Sequence, residues 1–256
     1  MITALRYEWV RLTTIRSTWI SFAFALVIST GLAWLISAPS EFYDETGSVV
    51  GEQPGDWYGA FGFPLSLTAV VASVIASQAI GQEYRFGIIR LTLTAFPQRA
   101  RVLTAKLAIV VVAAIGIGLV SYAGSYLGVV LRGYPTPPEG VTTVDSTFFV
   151  RGIAFVVLWA LASFALAGIV RQTAVGIAVP IISGLIVENI LQFVLFERAE
   201  WLAKILPWST ASRWPSTPDP AGENVLATGW AALGIFSVWV AVFLILEVVA
   251  FLRRDA

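Results

Sequence analysis

Six stretches of the chain run for about 18 residues or more with almost no charge, the length a helix needs to cross about 30 Å of hydrocarbon. They cover residues 18–36, 60–80, 107–131, 153–170, 173–196 and 228–252. The first and last are the clearest, whereas the fifth holds Pro180 and the ionisable Glu188. The pattern predicts an all-α membrane protein with six transmembrane helices. The connecting stretches are too short to fold as water-soluble domains, so one membrane domain over residues 1–256 is expected. The first stretch is longer than a secretory h-region, and Pro39 follows Ala38 where a cleavage site would lie, so a retained span is expected.

Three segments depart from simple spans. In residues 2–16, Ile2, Leu5, Trp9, Leu12 and Ile15 recur at three- and four-residue steps, with Arg6, Glu8 and Arg11 largely off that stripe. This periodicity predicts an N-terminal interfacial helix, with a plain basic flank of the first span as the alternative. Between the second and third spans, residues 81–101 mix charges with Phe86, Ile88, Ile89, Leu91 and Leu93. A connector between spans needs only a few polar residues. This one keeps apolar side chains that call for a partner surface, and Pro97 should end a short helix there. A docking element is one reading and a lipid-bound helix the other. Residues 191–208 are half apolar and dotted with charge, which fits short re-entrant or interfacial helices on the outer side before the sixth span. Trp201, Trp208 and Trp214 are then expected at headgroup depth.

Composition sharpens this picture. Charged residues make up 12% of the 256, against about 25% in soluble domains, and 57% are hydrophobic. The zero formal net charge conceals an asymmetry. Arg6, Arg11, Arg16, Arg85, Arg90, Arg99, Arg101, Lys106, Arg171, Arg253 and Arg254 all fall on one alternate set of loops and ends. The opposite set holds most of the acids, among them Glu41, Asp44, Glu45, Glu52, Asp56, Glu139, Asp145, Glu197, Asp219 and Glu223. The positive-inside rule then puts both termini in the cytoplasm, as suits a bacterial plasma membrane. A net charge of zero argues against nucleic acid as a partner.

Candidate chemistry is sparse. With no Cys and no His, disulfides and thiolate or imidazole metal sites are excluded. No phosphate-binding glycine loop occurs, and no catalytic constellation or metal site is predicted. Glu188 and Glu247 are the only acids inside spans. Glu188 reads either as an intramembrane functional acid or as a carboxylate reaching water at the outer interface. Glu247 is expected to pair with Arg253 or Arg254. Gly124 and Gly128 form a small-xxx-small pair suited to close helix contact.

The run Glu83-Tyr84-Arg85-Phe86-Gly87-Ile88-Ile89-Arg90, followed by Pro97-Gln98-Arg99 and Ala105-Lys106-Leu107, resembles the membrane subunits of type-2 ABC exporters. These include drug, antibiotic and lantibiotic resistance permeases and copper-enzyme maturation permeases. Ile88 stands where Thr is usual. The resemblance extends to the span layout and implies a cytoplasmic coupling helix between spans 2 and 3. Glu83, Tyr84, Arg85, Gly87 and Arg90 would form a coupling surface for a separate ABC ATP-binding subunit. That subunit would hold ATP and Mg, leaving no cofactor in this chain. Two permease copies would pair as a homodimer or heterodimer, embedded in membrane lipid. The path would run between first, second and fifth spans, with Glu188, Phe22 and Phe193 as pathway or gate residues. The plentiful span aromatics suit an amphiphilic or hydrophobic cargo: a drug, antibiotic, peptide or lipid. A secondary transporter or channel working without ATP, and a non-transporting assembly factor, are the competing functions. A membrane enzyme ranks last for want of catalytic groups.

Overall fold

A computed structural model describes residues 2–43, 49–53, 55–96, 98–133, 146–195, 199–215 and 228–253. The chain runs α1 (Ile2–Thr14), α2 (Arg16–Ile36), β1 (Ser40–Tyr43), β2 (Val49–Gln53), α3 (Trp57–Arg85), α4 (Ile88–Ala95), α5 (Arg99–Arg132) and α6 (Ser146–Val170). Then follow α7 (Thr173–Ile182), a π-helical turn (Ser183–Val187), α8 (Glu188–Leu195), α9 (Glu200–Lys204), α10 (Pro207–Ala211) and α11 (Gly229–Arg253). Six helices are long and apolar enough to cross a membrane: α2, α3, α5, α6, the α7–π–α8 unit and α11.

The helices overrun their hydropathy windows at several ends. Asp56 caps α3, its carboxylate accepting from the Gly59 amide at 2.8 Å, and nothing breaks that helix until Gly87 at φ +66°. At about 1.5 Å per residue, 29 residues reach about 43 Å, well beyond the hydrocarbon. Glu83, Tyr84 and Arg85 therefore form the last turn of α3 rather than a loop, and Arg99, Arg101 and Lys106 belong to α5. Pro97, expected to end α4, lies outside the described residues, as do Arg254 and the acids Asp44, Glu45, Glu139, Asp145, Glu197, Asp219 and Glu223.

The bundle is built around α3, α5 and α6. α2 packs on α5 and α3, α7 on α6 and α3, and α11 on α6. Small residues set these contacts. A methyl group at Gly128 would lie 2.3 Å from the Thr30 carbonyl oxygen, and one at Gly124 2.8 Å from that of Leu26, so the Gly124/Gly128 pair seats α5 on the backbone of α2. Across the same seam Ser29 and Ser121 share a buried hydrogen bond of 2.9 Å. Trp159 donates to Ser73 Oγ at 2.9 Å and ties α6 to α3.

The far end of the bundle carries a short antiparallel hairpin, β1 with β2, that hydropathy did not predict. Below it an aromatic cluster links Phe148, Phe155, Trp159, Trp208, Trp214 and Phe236. Trp208 and Trp214 are core residues, 3% and 0% exposed, and not headgroup anchors; of the three tryptophans only Trp201 is exposed. The aromatic side chains of α6 and α11 pack directly on them.

Candidate functional site

At the end of the bundle that bears both termini, α1 lies against the last turns of α3 and the first turns of α5. The face it buries carries Ala4 and Glu8, with Arg11 and Leu12 at its edge, while Ile2 and Trp9 of its apolar stripe stay exposed. The helix is thus held to the protein by charge. Lys106 is fully buried and donates to Glu8 Oε1 at 2.6 Å, Glu83 Oε1 at 2.5 Å and the Ala79 carbonyl at 3.2 Å. All three ammonium protons are met. Arg11 also pairs with Glu83 and reaches Glu8 Oε2 at 3.3 Å. Its other arm donates to the Gln78 and Ala79 carbonyls at 3.1 and 3.0 Å. Two carboxylates and two cations make the cluster neutral. In so dry a junction each charge depends on the others.

α4 follows directly. Gly87 takes the left-handed conformation that turns the chain out of α3, and a methyl group there would meet nothing within 4 Å. The inner face of α4 buries Ile89 and Thr92, with Leu93 packed on the core. Phe86, Ile88 and Leu91 are 64%, 40% and 71% exposed, beside exposed Arg85 and Arg90. The result is a mixed apolar and cationic surface. Tyr7 of α1 meets Phe96 just past α4, with ring centroids 6.0 Å apart. Tyr84 lies half-buried beneath the Arg171 guanidinium, 4.9 Å from its ring. Arg171 itself holds φ +61° in the turn between α6 and α7. α1, α4, the ends of α3 and α5 and the α6–α7 turn thus meet in one knot.

The five residues expected on a coupling surface divide. Arg85, Gly87 and Arg90 are exposed and Tyr84 is half-buried. Glu83 is 2% exposed, with Oε1 held by Arg11 and Lys106. It lies behind the exposed residues of this end rather than among them. Glu8, Arg11 and Lys106, which complete the cluster, carried no sequence signal beyond a basic helix and a lysine entering a span.

The three expected pathway residues contact different elements. Glu188 is 2% exposed and not at a water-facing interface; it accepts from the Trp208 amide at 3.1 Å and the Ser209 amide at 2.6 Å, capping α10. Phe22 packs across α2 onto α5, where a methyl group at Gly116 would approach its ring at 3.1 Å. Phe193 is 85% exposed. Glu247 does not pair with Arg253. It is 1% exposed, its side chain lies over Gly168 of α6, and neither oxygen has a hydrogen-bond partner among the described residues.

A sequence model of the family described as ABC-2 family transporter protein matches residues 4–189, from α1 to the start of α8. No curated protein matches the chain.

Proposed function

Because the chain belongs to the ABC-2 transporter family, a family of multi-pass membrane permeases, we propose that it is the transmembrane subunit of an ATP-driven exporter whose ATPase is a separate chain. The surface of α4 is the observation that carries this reading. It leaves Phe86 and Leu91 uncovered beside Arg85 and Arg90, at the end of the molecule richest in Lys and Arg. That end faces the cytoplasm by the positive-inside rule. An ATP-binding subunit, carrying ATP and Mg, seats there, and the ion cluster behind α4 passes its movement to α3, α5 and α1 together. The exposed apolar face of α2 suits a second permease copy. An amphiphilic or hydrophobic cargo suits a bundle so poor in charged lining.

Co-expression with an ABC ATPase encoded beside this chain tests the reading. The expected result is a co-purifying complex whose ATP hydrolysis changes when this chain is present. Flux driven by an ion gradient from this chain alone would replace the exporter with a secondary transporter. Partner binding with no ATP-dependent flux would make it an assembly factor.

A further inference from the structure

Midway along the fifth span the helix loses its regularity. Pro180 has no amide proton to give, the π turn Ser183–Val187 widens the coil, and Glu188 follows at once. A cavity of about 260 Å³ opens beside this irregular turn. Its walls come from four directions: Ser66 and Val70 of α3, Phe155 and Trp159 of α6, Gly184 of the π turn, and Trp208 of α10. No charged side chain lines it.

The wall is fixed. Both oxygens of Glu188 hold the backbone at Trp208 and Ser209, and the Trp208 ring meets Trp159 edge-on at 5.0 Å. The Ser66 hydroxyl is already engaged, donating to the Gly62 carbonyl and accepting from Trp214. Ser212 at the mouth donates to the Ser209 carbonyl at 2.8 Å, so the cavity offers chiefly shape and aromatic surface. Its rim is apolar and open, with Phe63 54%, Leu67 40% and Leu185 71% exposed. These rim residues lie within α3 and the fifth span, two of the helices long and apolar enough to cross a membrane. An apolar cavity of about 150 Å³ already admits a benzene ring.

We propose that this cavity holds the uncharged ring system or chain of an amphiphilic cargo, entered sideways from the hydrocarbon while the polar head stays outside. The word cargo rests on the exporter reading above. Binding itself needs neither ATP nor a second kind of subunit.

The test uses the full chain in lipid nanodiscs, without an ATPase, titrated with 11-(dansylamino)undecanoic acid. Energy transfer from tryptophan to the dansyl group reports occupancy. Saturable transfer is expected in the unaltered chain. Ser212→Phe crowds the mouth from an exposed position, and Gly184→Leu crowds the interior against Trp208 Cβ, which a methyl group would already approach at 3.1 Å. Each fills space the ring would take, so each should weaken the saturable component by about fivefold or more. Because Ser212 is exposed, its variant should fold even if the Gly184 variant does not. Linear, non-saturating transfer in the unaltered chain, or unchanged affinity in Ser212→Phe, would overturn the site. ATPase coupling without saturable binding would remove the cavity and keep the exporter. Saturable binding without an ATPase partner would do the reverse.

Discussion

Removing the Lys106 ammonium takes the junction of Glu8, Arg11, Glu83 and Lys106 from neutral to a net charge of −1. Both carboxylates are almost fully buried, and the small hollow beside Glu8 and Lys106 has room for about one water, so solvent can replace few of the lost contacts. Breaking such a buried network from one side costs about 3–5 kcal/mol. Lys106→Met is therefore expected to lower unfolding stability by that order, measured by denaturing-detergent titration. Lys106→Met with Glu83→Gln restores charge balance and should recover part of the loss; strict additivity would show that the pair does not interact. Glu247 presents the opposite case. Its carboxylate is buried with no hydrogen-bond partner among the described residues, so Glu247→Met, of similar volume, should raise the unfolding midpoint in the same assay. None of this was legible in the sequence. Glu8 and Lys106 stand 98 positions apart, and only tertiary packing brings them to 2.6 Å. Glu247 reads as a partner for Arg253 or Arg254 because the sequence shows its own helix and not the neighbouring one, where Gly168 makes room for its side chain.

For whole elements, hydropathy located every span because a sum over about 20 residues survives local irregularity. It placed the ends short because charge ends an apolar run without ending a helix. Glu83 and Arg85 continue α3, and Lys106 lies inside α5. The turn into α4 is set instead by Gly87. A side chain there pays the left-handed penalty of about 1–2 kcal/mol with no clash to add. Gly87→Ala should destabilise by about that amount and Gly87→Asn by less, read in the same titration. The surface of α4 makes a separate prediction. Arg85 and Arg90 are exposed, so Arg85→Glu with Arg90→Glu should leave the unfolding midpoint within experimental scatter while abolishing co-purification of the ATPase subunit. Charge reversal at Glu83 tests something else. It sets a third cation beside Arg11 and Lys106 and should unfold the junction, so a loss of coupling in that variant says nothing about the docking face.

Across the whole molecule, the uneven charge and the two-ended architecture have to agree. The end with α1, α4 and the close of α11 collects most of the Lys and Arg, whereas the hairpin end collects acids such as Glu41 and Glu52. Positive loops resist translocation, so the first end belongs inside. The proposed ATPase contact requires the same orientation, since ATP-binding subunits work in the cytoplasm. One topology experiment therefore bears on both. The chain contains no cysteine, so single-cysteine variants carry no background. Thr94→Cys, on the exposed side of α4, should react with a membrane-impermeant maleimide only after cells are permeabilised. Ser48→Cys, between the two hairpin strands in sequence, should react in intact cells. The reverse pattern would put α4 outside, where an ATP-binding subunit cannot reach it, and the docking surface would then need a different partner.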